Sequence, residues 1–127
     1  MTATIVAVDD DETIRRLLEH RLGREGYDVH TFEDGQAAAE AFAAGELHPD
    51  LVLTDVMMPR MDGKRLLRRL RNGEFRIDPE TPVIMLTSRG REEDVLDGFE
   101  SGADDYVAKP FSPTEVVVRV RRQLNGR

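Results

Sequence analysis

Short apolar runs rich in β-branched residues alternate along the chain with longer amphipathic stretches, and no other feature restricts the fold as much. The strand candidates are Thr4 to Val8, Asp28 to Phe32, Leu51 to Thr54, Val83 to Leu86 and Tyr106 to Ala108. The first, third and fourth are apolar almost throughout, as suits central parallel strands covered on both faces. Helical periodicity fills the intervals near Glu12 to Glu25, Gly35 to Ala44, Lys64 to Arg71, Glu92 to Ser101 and Pro113 to Leu124. Leu17, Leu18 and Leu22 mark one apolar stripe; Val116, Val117, Val120 and Leu124 mark another. Five such βα units predict an α/β, doubly wound domain: an open, parallel, five-stranded sheet with helices on both faces. The units fill all 127 residues without a linker, so residues 1–127 are expected to form one domain.

Local signals sharpen some boundaries. Ser112-Pro113-Thr114-Glu115 has the capping-box pattern with proline at the first helical position. Asn72 to Pro82 is the longest irregular stretch and reads as a polar surface loop. The chain carries 25 acidic and 18 basic residues, a net charge of −7, which argues against a broadly cationic surface for DNA or membrane. Cysteine is absent, which removes disulfides, thiol catalysis and Cys-ligated zinc. No apolar run approaches the roughly 18 residues needed to span a bilayer, and the N-terminus does not read as a signal peptide. A cytoplasmic location is the expectation.

In an open parallel sheet, ligands bind beyond the carboxyl ends of the strands. There the chain places Asp9, Asp10 and Asp11 after the first strand, Asp55 after the third, Thr87 and Ser88 after the fourth and Lys109 after the fifth. Asp11 reads as the N-cap of the first helix, because aspartate is a favoured cap and "ETIRRLL" follows. One cap does not explain three consecutive aspartates, whose repulsion calls for a cation. Ionised Asp9, Asp10 and Asp55 would be balanced by protonated Lys109 and one divalent ion. Magnesium suits that set, since it prefers carboxylate and carbonyl oxygens and bridges to phosphate. His20, His30 and His48 are scattered and offer no zinc site.

Four segments, "VDDDETIRRLL", "PDLVLTDVMMPRMDG", "PVIMLTSRG" and "GADDYVAKPFSPTEV", resemble the receiver domain of two-component response regulators in order and spacing. The resemblance covers essentially the whole chain. It implies a flavodoxin-like fold with strand order 2-1-3-4-5. It further implies that Asp55 takes a phosphoryl group from a phosphohistidine of a sensor histidine kinase or histidine phosphotransfer protein. Asp10, Asp55 and the backbone carbonyl of Met57 would bind Mg²⁺, with Asp9 acting directly or through water. Thr87 and Lys109 would hold phosphoryl oxygens, Thr87 and Tyr106 would form a switch pair, and Lys109-Pro110 would be cis. The altered surface would comprise the fourth helical segment, the fifth strand and the last helix, and would control a downstream effector domain or protein. Such a domain is a signalling phosphoacceptor that catalyses only its own phosphorylation and dephosphorylation.

A homodimer through that same surface is a further expectation of the resemblance. Asp105 and Arg119 could pair across it, but Val95 stands where a basic residue opposite Glu115 is expected. Asp62-Gly63 reads as a turn with Asp62 capping the third helix, and Met57 and Met58 read as hydrophobic cover. Met57 and Arg89 flank the site and would hinder attacking water. The basic run of the third helix, Lys64, Arg65, Arg68, Arg69 and Arg71, reads as a solvated face with no direct nucleic-acid binding. A phosphohydrolase with Asp9 as nucleophile and Asp11 as acid is the enzyme alternative, since Asp9 to Thr13 has the DxDxT form. That reading leaves Asp55 without a role. A dinucleotide site is disfavoured because the first turn carries carboxylates in place of glycines.

Overall fold

The computed structural model describes residues 2–88 and 102–126. Within them the chain runs β1 (Thr4–Val8), α1 (Glu12–Arg24), β2 (Asp28–Phe32), α2 (Gly35–Ala44), β3 (Leu51–Asp55), α3 (Gly63–Arg71), β4 (Val83–Thr87), β5 (Asp105–Ala108) and α4 (Pro113–Asn125). The helical segment expected at Glu92 to Ser101, with Val95 and Arg89, lies outside the described residues. All strands pair in parallel, in the order β2-β1-β3-β4-β5. β3, β4 and β5 each take in one residue more than periodicity suggested, so Asp55 and Thr87 are the last residues of their strands.

Alternation along each buried strand sends successive side chains to opposite faces. Val6, Val8, Val52 and Met85 pack with Phe42 of α2 and Leu66, Leu67 and Leu70 of α3. Ile5, Ala7, Leu53, Ile84 and Leu86 pack on the other face with Leu18 and Leu22 of α1 and Val116, Val117 and Val120 of α4. Two-sided cover therefore explains the uniformly apolar central strands.

Three local expectations need correction. Ser112 is the N-cap of α4, but its side chain makes no capping bond. The Glu115 N–H that a capping box would use donates instead to the Ser112 carbonyl at 3.0 Å. Met58 does pack on the core, whereas Met57 is 70% exposed and covers nothing. The segment from Asn72 to Pro82 is not simply a polar loop, because Phe75, Ile77 and Thr81 are buried. The Phe75 ring lies 5.6 Å from that of Phe42, and the Arg69 guanidinium sits 4.9 Å above it.

Arg71 holds this segment down. Its guanidinium donates to the carbonyls of Pro79 (2.8 Å), Thr81 (2.7 Å) and Gly102 (2.7 and 3.0 Å) and to the Asp104 carboxylate (2.8 Å). The same Asp104 oxygen accepts the first N–H of β4, from Val83, at 2.8 Å. The planar fork thus joins the end of α3 to the segments entering β4 and β5. Arg71→Ala is expected to lower stability by about 2 to 3 kcal/mol, the usual loss for hydrogen bonds to a charged donor. Urea denaturation at neutral pH would check this, and an unchanged midpoint would contradict it.

Candidate functional site

The register Val8↔Thr54, Asp55↔Leu86 and Thr87↔Ala108 aligns the ends of β1, β3, β4 and β5 at one edge of the sheet. Asp9, Asp55 and Thr87 are buried there, while Asp10 is exposed at the rim. Carboxylate oxygens of Asp9, Asp10 and Asp55 lie within 4.8 Å of one another. Lys109 Nζ reaches into the cluster, 2.6 Å from Asp9 Oδ2 and 3.1 Å from Asp55 Oδ2. The Lys109–Pro110 bond is cis.

Electrostatics distinguish these groups. Burial pushes the Asp55 carboxyl above its usual pKa and the Asp9 charge adds to the push, against the opposing pull of Lys109 and the Met57 backbone amide. Burial also works against the Lys109 ammonium, yet its bonds and charge interactions with Asp9 and Asp55 hold its pKa above the ordinary lysine value. Asp9 has both oxygens engaged, because Oδ1 accepts the Asp11 N–H at 2.9 Å and Oδ2 the lysine. Asp55 Oδ1, in contrast, is buried with no hydrogen-bond partner.

The donor set therefore fits a divalent cation. One ammonium against three carboxylates leaves two negative charges to balance, and an orphaned carboxylate oxygen costs free energy unless something binds it. Oxygen donors with an exposed rim suit Mg²⁺, which retains several waters.

Other assignments fare differently. Asp11 is indeed the α1 cap, accepting the Thr13 and Ile14 N–H groups at 2.8 and 3.4 Å. With Asp11 so engaged and Asp9 tied at both oxygens, the DxDxT reading lacks a free nucleophile. Tyr106 is half-buried, and its partner in the sheet is Met85, two residues before Thr87. Tyr106 and Thr87 are therefore diagonal neighbours on one face. Arg119 pairs with Asp105 at 2.8 Å within the chain. The basic run of α3 is partly structural, with Arg69 on Phe75 and Glu74 and Arg71 in the network above.

Sequence reasoning missed two side chains near the site. Arg15 donates to the Asp9 carbonyl at 2.7 Å, and Arg60 is paired with Asp34 at 2.7 Å. Neither spacing carries a recognisable local signal. A cleft of about 310 Å³ lies beside Lys109, lined by Ile14, Leu17, Ser88, Pro110 and Phe111.

A family model described as the response regulator receiver domain matches residues 5–121. The chain belongs to this family. The receiver domain is 46% identical over 124 residues to the transcriptional regulatory protein SrrA of Staphylococcus aureus, covering 98% of this chain and 48% of that protein. It thus spans about half the length of the curated relatives it matches. Among solved structures, it resembles a putative response regulator from Chloroflexus aurantiacus, with a TM-score of 0.88 and 38% identity over 98% of this chain and 99% of that one. It also resembles the BeF3-activated receiver domain of DrrB from Thermotoga maritima, with a TM-score of 0.84 and 39% identity over 98% and 99% of the two chains. The chain is thus a response-regulator receiver domain of the two-component type. No helix among the described residues is long and apolar enough to cross a membrane.

Proposed function

We propose that this receiver domain, taken as residues 1–127, accepts a phosphoryl group on Asp55 from a phosphohistidine of a sensor histidine kinase or histidine phosphotransfer protein. The buried Asp55 carboxylate with one unpartnered oxygen, beside Lys109, is the observation that carries the reading. A carboxylate is already an anionic nucleophile, so the transfer needs mainly in-line approach and neutralised charge. A carboxylate oxygen of Asp55 bonds to phosphorus as the phosphorus–nitrogen bond breaks, and the imidazole leaves with the electron pair. Lys109 and the Thr87 hydroxyl hold the phosphoryl oxygens. Mg²⁺ held by Asp10, Asp55 and the Met57 carbonyl, with Asp9 direct or through water, supplies the remaining positive charge when bound.

Engagement of the Thr87 hydroxyl vacates space for the Tyr106 ring and alters the face that carries β5 and α4. That face controls a downstream effector domain or protein in the cytoplasm, and two copies of the domain can pair through it. The domain catalyses only its own phosphorylation and dephosphorylation, and it does not itself bind nucleic acid. The apolar cleft beside Lys109 lies open next to the site where the donor must approach.

Incubation with Mg²⁺ and a small acyl phosphate, followed by intact mass measurement, tests the chemistry. One added phosphoryl group is expected, lost in Asp55→Asn and retained in Asp11→Asn, because asparagine caps a helix as well as aspartate does. Incorporation that survives in Asp55→Asn but vanishes in Asp9→Asn would overturn the assignment in favour of the hydrolase.

A further inference from the structure

The segment between β3 and α3 follows directly on Asp55 and contains the one non-glycine residue found at positive φ among the described residues, Arg60 at 68°. That conformation is unfavourable for a residue with a side chain and persists only where its surroundings hold it. Here the holder is Asp34. Its Oδ2 accepts Arg60 Nε at 2.7 Å and lies 2.7 Å from Nη2, so two nitrogens of the fork converge on one oxygen. Its Oδ1 accepts the Ala37 N–H at 2.8 Å as the N-cap of α2.

Asp34 is buried at 4% exposure. Burial alone would raise its pKa, but the Ala37 amide and the Arg60 guanidinium outweigh that and hold it below the ordinary aspartate value. The next residues dock as well: the Gly35 N–H donates to the Met61 carbonyl at 3.2 Å. A Cβ on Gly35 would stand 2.3 Å from that oxygen. The segment is therefore strapped to the start of α2 at Arg60 and Met61, three and four residues after Met57.

We propose that Arg60 is a positioning residue, and that its clasp on Asp34 sets the backbone at Met57 so that the carbonyl there is presented to the metal. The inference rests on the Mg²⁺ and phosphoacceptor reading above. Arg60 itself touches neither the metal nor the phosphoryl group. It acts as outer-shell partners of metal ligands do, whose loss typically costs ten- to a hundredfold in affinity.

Arg60→Gly provides the test, since glycine adopts positive φ freely and relieves the strain while deleting the clasp. Mg²⁺ affinity by titration calorimetry is expected to fall roughly tenfold, with the metal-free variant still folded by circular dichroism. Arg60→Lys, which keeps one charged contact, is expected to recover part of the affinity. Backbone amide resonances of residues 57 to 61, recorded without metal, are expected to shift in the glycine variant and not in Arg65→Ala on the exposed side of α3. Wild-type affinity in Arg60→Gly would overturn the positioning role while leaving the function intact. A wild-type protein that binds no Mg²⁺ at all would overturn the underlying reading, and this inference with it.

Discussion

Replacing Asp55 by asparagine is expected to stabilise the metal-free protein at neutral pH while removing its response to Mg²⁺. Without metal, Asp55 must ionise beside buried Asp9 with one oxygen unpartnered, and Lys109 offsets only part of that cost. The folded carboxyl therefore has a raised pKa, so the folded state holds its proton more tightly than the unfolded chain does. Stability from this group is complete below the ordinary carboxylate pKa, declines as pH rises toward the folded value, and is absent beyond it. The gain in Asp55→Asn should accordingly be roughly 1 to 3 kcal/mol near pH 7, as when buried charges are replaced by neutral groups, and should vanish in acid. Added Mg²⁺ should raise the wild-type stability by about 2.7 kcal/mol at a hundred times Kd and leave the variant's nearly unmoved. Thermal denaturation over pH, with and without Mg²⁺, measures both. A variant less stable than wild type without metal would show that the carboxylate is satisfied after all.

Gly63→Ala should have the larger structural effect, and its sign runs against helix propensity. Gly63 is the first residue of α3, after an Asp62 cap that accepts the Arg65 N–H at 2.8 Å. Alanine is worth about 1 kcal/mol over glycine in a helix interior, so propensity alone predicts a neutral or stabilising change. The fold predicts the opposite. A Cβ at this position would stand 2.2 Å from the Asp55 carbonyl oxygen and 3.1 Å from its carbon, and these are backbone atoms that cannot rotate away. The helix start or the end of β3 has to move, which also breaks the 2.9 Å bond from the Gly63 N–H to the Val56 carbonyl. A loss of about 3 kcal/mol or more is expected, together with a large drop in phosphoryl incorporation as Asp55 shifts. Urea denaturation and intact mass measurement read the two effects separately. A Gly63→Ala variant as stable as wild type would show that the close approach carries no cost.

The Gly63 case also shows why some features could be read along the chain and others could not. Hydrophobic period and strand composition depend on nearest neighbours and on which faces are covered, so the strands and the helices of the described residues were legible to within a residue or so. The strand ends followed from the same pattern, and a parallel sheet must deliver its strand ends to one edge. That is why Asp9, Asp10, Asp55, Thr87 and Lys109 can be grouped from the sequence. The roles of Asp11 and Asp62 as caps were legible too, since a cap satisfies N–H groups only two or three residues away.

Through-space partners were not legible. Arg71 and Arg60 looked like any exposed arginine, because Asp104 and Asp34 stand 33 and 26 positions away and only the fold brings them within reach. Phe75 and Ile77 sat in a polar segment whose composition gave no hint that the sheet face beside α2 and α3 would need filling. Gly63 looked like a turn residue and Gly35 like an ordinary helix start, yet what excludes a side chain at both is the backbone of another segment. Local chemistry thus assigned the elements and the edge where charge gathers, whereas the packing of distant segments set which side chains clasp one another and where no Cβ can fit, because those distances exist only once the chain has closed on itself.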